Sequence, residues 1–305
     1  MRVFVTGGTG HLGSAVIPEL LSAGHQVLAL ARSDPSADAL AQAGAEVHRG
    51  SLDDRGSLHA AATAADGVIH LAFRHDAMQS GDFAGAVDSD TRAIETISDA
   101  LAGTGKPFVS TSGTLTLVFG GVTGVVTEAA AAPGGPRIDA ENAVIALAER
   151  EVRSSIVRLP PTVHSSLDHS GYIPILIATA REKGVSGYVG DGSNRWPAVH
   201  TLDAARLYRL ALEAAPAGSR LHAVADHGVA FRDIAAAIGR HLDLPVVSVP
   251  PDDATDHFGF LSAFVALDNP TSSTFTRQLL DWHPTRPGLL ADLDDGHYFT
   301  APARP

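Results

Sequence analysis

The chain has 305 residues, 45% of them hydrophobic, and its 34 Asp plus Glu outnumber its 22 Lys plus Arg, so the formal net charge is −12. This size and composition predict a soluble globular protein of one or two domains, and the acidity argues against a nucleic-acid partner. The absence of cysteine excludes disulfides, thiolate metal sites and cysteine nucleophiles. No apolar run approaches the roughly 18 residues of a membrane span and no targeting segment is recognisable, so we expect a cytoplasmic protein with no membrane partner.

Short apolar runs alternate with helical patterns through the first half of the chain. Helical stretches such as residues 13–23 and 88–101 lie between runs rich in Val, Ile, Leu and Phe. The alternation predicts βαβ units, and continuous apolar runs are typical of parallel strands buried on both faces. We therefore predict an α/β fold with a doubly wound parallel sheet of the Rossmann type. The predicted strands are residues 3–6, 26–31, 46–49, 67–72, 107–110 and 155–159.

The pattern changes after about residue 160, where two consecutive prolines end the sixth strand. We predict a dinucleotide-binding domain in residues 1–163, to which a helix at 200–215 returns, and a smaller, interleaved α/β substrate domain in residues 164–305. The later elements are predicted as helices at 200–214 and 231–242, a strand at 244–251 and a loop-rich tail from residue 269.

Residues 6–13, Thr-Gly-Gly-Thr-Gly-His-Leu-Gly, follow the first strand and open the first helix. Spaced glycines at this place permit a sharp turn, close approach of the backbone to a pyrophosphate and tight packing of helix against strand. Free N–H groups at the helix N-terminus then bind the phosphates. The flanking strand and helix are the context that gives the motif this meaning. The turn predicts a nucleotide site formed by Gly7, Thr9, Gly10, His11, Leu12 and Gly13.

The second strand ends in Ala31-Arg32-Ser33, with no carboxylate at its tip. NAD-binding turns carry an acidic residue there for the ribose 2′-hydroxyl, whereas an arginine can bind a 2′-phosphate bidentately. Arg32, assisted by the Ser33 hydroxyl, therefore predicts NADP as the cofactor. The alternative is that Arg32 is a solvated loop residue and that Asp34 is the ribose ligand.

These residues resemble the short-chain dehydrogenase/reductase superfamily in its extended and atypical branches. The resemblance extends to His-Leu-Ala at 70–72, Phe-Val-Ser-Thr-Ser at 108–112, Arg-Leu-Pro-Pro at 158–161 and Val-His-Thr-Leu-Asp-Ala-Ala at 199–205. Where the family has an aspartate after the third strand, this chain has Ser51. The resemblance implies further cofactor contacts from Ser51, Leu52, Leu71, Ala72, Ser110, Leu159 and Pro160.

The active-site Tyr-x-x-x-Lys of the family is absent from this chain. Alignment puts Arg137 near the tyrosine position and Glu141 near the lysine position. Arginine, with a pKa above about 12, cannot donate a proton near neutrality, and glutamate has the wrong sign to stabilise a tyrosinate. Either the two form an i,i+4 surface pair worth roughly 0.2–0.5 kcal/mol, or Arg137 polarises a carbonyl as hydride arrives. We favour the surface pair.

Four further residues are candidates for the chemistry. Ser112 holds the position of the family's catalytic serine and could bind a substrate oxygen, although a hydroxyl at a strand end can also be a simple cap. The segment after the sixth strand lines the substrate cleft in the resembling fold, and a histidine or tyrosine there could replace the missing acid, or the segment could be an inert polar loop. We expect no metal, since cysteine and a His-Glu-x-x-His motif are absent. The candidates in that segment are His164, His169 and Tyr172.

Three functions follow from these observations. The first is an NADPH-dependent oxidoreductase that reduces a small or medium apolar carbonyl or an imine, with the proton coming from water, Ser112 or the segment after the sixth strand. The second is a non-catalytic NADP(H)-binding sensor or partner-binding protein. The third is a nucleotide-sugar epimerase or dehydratase, against which the missing Tyr–Lys pair counts. Extended relatives often dimerise through the helices that correspond to residues 88–101 and 139–150, so a homodimer is possible.

Overall fold

A computed structural model of the chain describes residues 1–74 and 80–300. It contains a seven-stranded parallel sheet, a three-stranded sheet and a two-stranded sheet. The strands, in chain order, are β1 (Arg2–Thr6), β2 (Gln26–Ala31), β3 (Glu46–Arg49), β4 (Gly67–His70), β5 (Pro107–Gly113), β6 (Arg153–Leu159), β7 (Thr162–His164), β8 (Ser186–Val189), β9 (Arg195–His200), β10 (Ser219–His222), β11 (Asp226–Ala230) and β12 (Val246–Val249).

The large sheet has the strand order β10-β6-β5-β4-β1-β2-β3, and its pairs are all parallel. The direction of winding reverses between β1 and β4, so the crevice at their carboxyl ends is the place where such sheets bind ligands. The predicted doubly wound sheet is confirmed. β10 is an additional strand, because its four residues are too few to show a pattern in the sequence.

Helices cover both faces of the large sheet. Val3 and Val5 of β1 pack against the helices formed by residues 13–22, 34–42 and 201–214. Phe4 packs against the opposite layer, formed by residues 55–64, 83–101 and 138–146. This alternation is what a strand buried on both faces requires. The helices are α1 (Gly13–Ser22), α2 (Asp34–Gln42), α3 (Arg55–Ala64), α4 (Phe83–Leu101), α5 (Thr114–Phe119), α6 (Ile138–Ala146), α7 (Tyr172–Lys183), α8 (Thr201–Ala214), α9 (Phe231–Leu242), α10 (Ala254–Phe258), α11 (Ser262–Val265), α12 (Thr274–Leu280), α13 (Leu289–Asp294) and α14 (His297–Thr300).

The later part of the chain builds a second, smaller α/β unit. Strands β11, β9 and β7 form one sheet and β12 pairs with β8, while α7, α9 and α13 pack around Trp196, Phe231 and Ile238. Helix α8 returns to the large sheet, where Leu207 and Tyr208 join the core built by β1 and α1. The boundary near residue 163 stays a prediction. Within the two described ranges, no helix is both long and apolar enough to cross a membrane.

The predicted loop-rich tail is wrong, since the chain from residue 269 contains α12, α13 and α14. These helices have seven, six and four residues, so no amphipathic period is visible in the sequence. They are held by tertiary contacts instead. The Trp282 indole is buried and donates a hydrogen bond to the Asp203 carbonyl at 3.0 Å.

A buried ionic cluster joins α6, β6 and β10. Arg158 has no exposed surface; its Nε donates to both Glu141 carboxylate oxygens at 3.2 Å, its Nη1 to His222 Nε2 at 3.1 Å and its Nη2 to the Ala130 carbonyl at 2.8 Å. The opposite ring nitrogen of His222 bonds the Ser272 carbonyl at 2.7 Å, which fits a neutral ring. Burial, together with the charge of Arg158, lowers the pKa of His222 to about 4.

This neutral histidine should make stability depend on pH. Between about pH 6.5 and pH 4 the unfolded chain binds a proton at His222 that the folded chain does not, so stability falls as pH falls, by up to about 3 kcal/mol. We expect His222→Gln, whose amide can make similar bonds without titrating, to lose part of the fall measured by urea unfolding between about pH 7.5 and pH 5. His59→Gln, on an exposed face of α3, is the control. An unchanged pH slope in His222→Gln would contradict the assignment.

Candidate functional site

The glycine turn has the geometry of a phosphate cradle. Gly7 adopts φ +73°, and a Cβ there would lie 2.7 Å from the Ala72 nitrogen, so only glycine fits between β1 and the end of β4. The Gly10 N–H donates to the Gly7 carbonyl at 3.0 Å. A Cβ on Gly10 would meet only that carbonyl, at 3.3 Å, and Thr9 and Gly10 are exposed. The turn is therefore open on the side that faces away from the sheet, where α1 begins.

The residues predicted to flank the cofactor lie around this turn at the carboxyl edge. The Leu71 N–H donates to the Thr6 carbonyl and the Ala72 N–H to the Thr6 hydroxyl, both at 3.3 Å. Leu159 is paired with Gly113 at the ends of β6 and β5, and Pro160 follows it. Leu12 and Gly13 lead into α1, where a side chain on Gly13 would overlap the Gly7 carbonyl. The Ser110 hydroxyl is buried without a hydrogen-bond partner among the described residues. The contacts of these residues with a cofactor remain predictions.

The tips of β2 and β3 carry two arginines. Arg32 is exposed directly after β2, and Arg49 ends β3 in register with Ala31. Asp34, the alternative ribose ligand, forms an ion pair of 2.7 Å with Arg49. The Ser33 hydroxyl caps α2 by accepting from the Ser36 N–H at 3.3 Å. Sequence reasoning missed Arg49, because the register that brings β3 beside β2 is not visible in a four-residue run.

The segment after β3 forms the remaining side of the predicted adenine site. Ser51 and Leu52 are half-buried there, and Leu52 packs against the core beneath α3 and α4. The Ser51 carbonyl accepts from the Asp54 N–H at 3.2 Å, and Asp54 caps α3. No carboxylate stands at position 51 itself.

Two buried hydrogen bonds and one ion pair lead from the glycine turn to Arg137. His70 lies between the Thr6 hydroxyl, 2.7 Å from its Nδ1, and Asp90 Oδ1, 3.1 Å from its Nε2. Asp90 Oδ2 lies 3.5 Å from Arg137 Nη1. His70 and Asp90 are buried, so the chain is shielded from water.

Three contacts hold the Arg137 guanidinium at the carboxyl edge. Besides the ion pair with Asp90, Nη2 donates to the Thr111 carbonyl at 2.9 Å, and the guanidinium carbon lies 4.1 Å from the centre of the Phe73 ring. The side chain is 16% exposed, so it is not fully enclosed. It stands as a fixed positive charge beside the ends of β4 and β5.

The favoured surface pair of Arg137 and Glu141 is wrong. Arg137 precedes α6 and adopts the left-handed conformation, with φ 64°; the Glu141 N–H donates to the Arg137 carbonyl at 3.0 Å, but the two side chains have other partners. Glu141 is buried and pairs with Arg158 and Arg220. Burial alone would raise the pKa of Glu141, but the hydrogen bond and charge of Arg158, with smaller effects of Ser112 and Arg220, hold it below its usual value.

Ser112 does not offer its hydroxyl to the crevice. It is buried in register with Arg158 on the α6 side of the sheet. Its Oγ makes no hydrogen bond of ordinary geometry with the described residues, although it lies close enough to Glu141 to lower the pKa of that carboxyl. This position favours a structural role for the hydroxyl.

The candidates after the sixth strand occupy three different environments. His164 has no exposed surface and its Nδ1 lies 2.9 Å from Asp292 Oδ2, so the prediction that it lines an open cleft is wrong. His169 is exposed. Tyr172 begins α7, half-buried, and burial raises the pKa of its hydroxyl to about 12.

His11 connects the glycine turn to the second unit. Its Nε2 lies 2.8 Å from the Thr201 hydroxyl and its Nδ1 3.8 Å from Asp168 Oδ1. Asp168 also accepts from the Gly171 N–H at 2.7 Å and from the Tyr298 hydroxyl at 3.2 Å. Burial raises the pKa of Asp168, although His11 opposes the rise. His11 thus links the glycine turn to the start of α8 and lies beside the loop that precedes α7.

Comparison with known proteins gives the same fold over nearly the whole chain. The chain is 46% identical over 299 residues to an uncharacterized protein of Schizosaccharomyces pombe, covering 98% of this chain and 100% of that one. It matches a UDP-glucose 4-epimerase of Thermotoga maritima, solved with UDP-glucose, with a TM-score of 0.77 at 18% identity over 98% of each chain. It also matches a dTDP-glucose 4,6-dehydratase of Streptomyces venezuelae, solved with NAD and TYD, with a TM-score of 0.75 at 20% identity over 96% of each chain.

At these low identities the two solved structures show the fold alone. The family is shown by sequence, since the model described as the NAD dependent epimerase/dehydratase family matches residues 3–224. The resemblance to extended short-chain dehydrogenase/reductases is confirmed, and a nicotinamide cofactor is supported. The chain belongs to the NAD dependent epimerase/dehydratase family.

Proposed function

We propose that the protein is an NADPH-dependent oxidoreductase that reduces a small or medium apolar carbonyl or imine. The observation that carries the proposal is the Arg137 guanidinium. Asp90 and the Thr111 carbonyl hold it at the carboxyl edge, and the chain through His70 connects it to the nucleotide turn. An arginine here gives the crevice a hydrogen-bond donor for a developing negative charge, where the family has a tyrosine.

The turn and the two strand tips fit NADP. The open side of Gly10 leaves room for a diphosphate, and the exposed Arg32 supplies positive charge at the tip of β2. Asp34 is engaged by Arg49 at 2.7 Å, which disfavours it as the ligand of a ribose 2′-hydroxyl. When bound, the cofactor supplies a hydride to the carbonyl carbon.

Arg137 acts on the carbonyl oxygen in this proposal. Its N–H groups polarise the C=O bond and stabilise the negative charge that the oxygen gains as the carbon–hydrogen bond forms. The oxygen then takes a proton from water, leaving hydroxide. Water is the donor we favour because Ser112 and His164 are buried and the raised pKa of Tyr172 weakens it as an acid.

The likeness to UDP- and dTDP-sugar enzymes favours one other function, a nucleotide-sugar epimerase or dehydratase. Such a reaction needs a base that removes a proton from a sugar hydroxyl. Arg137 is a cation and cannot do this, and Glu141, at the lysine position, is engaged by Arg158. We therefore prefer simple reduction. If the protein binds NADPH but reduces no carbonyl or imine, it matches the non-catalytic alternative.

Cofactor choice provides one test. Arg32→Asp should weaken NADPH binding roughly 10- to 100-fold, the worth of a charge-assisted hydrogen bond to the 2′-phosphate, and should affect NADH much less. Calorimetric titration measures both affinities. Arg150→Asp, which makes the same charge change at an exposed site paired with Asp99, should leave both unchanged. NADPH affinity that survives Arg32→Asp would contradict the NADP proposal.

The role of Arg137 provides a second test. Arg137→Met should lower kcat/KM for carbonyl reduction on the order of 10²–10³-fold, the usual cost of removing one donor to a developing oxyanion, with the Kd of NADPH little changed. Arg137→Lys should recover part of the loss, and Arg150→Met is the matched control. NADPH oxidation over a panel of aldehydes, ketones and imines is the measurement. Wild-type kcat/KM in Arg137→Met would refute the role.

A further inference from the structure

An aromatic cluster spans the two units on the carboxyl side of the large sheet. We call it the aromatic rim; it consists of Phe119, Tyr172, Phe260 and Phe264. The Phe264 ring centre lies 5.7 Å from that of Phe119 and 5.6 Å from that of Tyr172, and Phe260 lies 5.9 Å from Phe264 and 6.2 Å from Tyr172. The four rings therefore form one continuous surface.

The rim lies on segments that leave the carboxyl ends of strands. Phe119 ends α5, which starts directly after β5, and Tyr172 starts α7, after the loop that follows β7. In that loop, Asp168 Oδ1 lies 3.8 Å from His11 Nδ1 of the glycine turn. In sheets of this kind, ligands bind outside the carboxyl ends of the strands. The rim and Arg137 therefore lie on segments that leave the same edge of the large sheet.

Two of the rim rings are unusually exposed. Phe119 is 58% exposed and Phe260 is 42% exposed. Both rings pack on Phe264, and contiguous exposed apolar patches mark binding sites. The backbone around them is anchored, since the Asn269 amide donates to the buried Thr114 hydroxyl at 2.7 Å and the Asn194 amide donates to the Val265 carbonyl at 2.9 Å. The rings are therefore presented in a fixed arrangement before any ligand arrives.

The rim has no charge, and the nearby arginine of the second unit is neutralised. Arg195, at the start of β9, donates to both carboxylate oxygens of Asp268, at 3.0 and 2.8 Å. Asp191 shares the surface cavity that these two residues line. A diphosphate placed in this cavity would meet two carboxylates and an arginine that is already paired, so the charges lining this cavity do not favour a nucleoside diphosphate there.

We propose that the aromatic rim binds the flat apolar body of an aromatic aldehyde or ketone, whose carbonyl reaches Arg137, and that nucleoside diphosphate sugars are not substrates. The part of this proposal that concerns the reaction rests on the proposed function. Binding of a ligand to the rim does not require that the ligand is reduced. Aromatic rings stack well on flat apolar partners and gain from burial of their faces. Phe119 and Phe260 are specificity-determining residues in this scheme.

The test measures binding and turnover separately. Cinnamamide, which carries an aromatic body and a carbonyl that is not readily reduced, is titrated calorimetrically into the protein saturated with NADPH. Phe119→Ser and Phe260→Ser should each raise its Kd roughly 5- to 10-fold, by loss of stacking and apolar burial. Phe275→Ser, at a 51% exposed position on α12 outside the rim, is the matched control, and propanamide is the short comparison ligand. The KM for cinnamaldehyde should rise in parallel with little change in kcat.

Three outcomes would overturn the inference: no cinnamamide binding by the wild type, rim variants that match Phe275→Ser, or UDP-glucose that binds more tightly than cinnamamide. If cinnamamide binding depends on the rim but no carbonyl is reduced, the proposed function fails and the inference stands. If carbonyls are reduced with equal KM in the rim variants and the wild type, the inference fails and the proposed function stands.

Discussion

The buried polar chain from Thr6 through His70 and Asp90 to Arg137 is the interaction on which the site depends. Two hydrogen bonds and one ion pair join the end of β1, the end of β4, the middle of α4 and the residue before α6. Since Thr6 directly precedes the glycine turn, the position of the arginine is fixed relative to the place where a nucleotide binds. Buried polar chains of this kind keep one geometry because every alternative leaves a group unsatisfied.

This chain lacks the tyrosine and lysine of the family, and the acid near the lysine position has a different partner. Glu141, near the lysine position, is buried against Arg158, whose remaining donors are taken by His222 and the Ala130 carbonyl. Removing Glu141 would leave the buried charge of Arg158 unpaired, at a cost of about 3–5 kcal/mol. The acid at this helix position is therefore part of the fold, and the positive charge of the site comes from Arg137 instead.

Sequence reasoning reached the sheet, the glycine turn and the arginine at the end of β2, because these depend on local patterns. Val3 and Phe4, for example, are consecutive apolar residues, and a continuous apolar run is what a parallel strand buried on both faces requires. The partners of Arg137 could not be predicted, since Asp90 is 47 residues away and meets it only when α4 packs against the sheet. The left-handed backbone at Arg137 also has no sequence signal, and it is what turns the side chain away from Glu141.

The central claim is that an arginine stabilises the charge on the carbonyl oxygen and that no protein acid donates the proton during hydride transfer. Isotope effects on kcat/KM test this most directly, with cofactor deuterated at the transferred position and with D₂O as solvent. We expect the deuterated cofactor to slow the reaction and D₂O to add no comparable slowing, because protonation by water follows hydride transfer. A large solvent effect that disappears in His169→Gln would show that an imidazole supplies the proton in the same step, and would contradict the account.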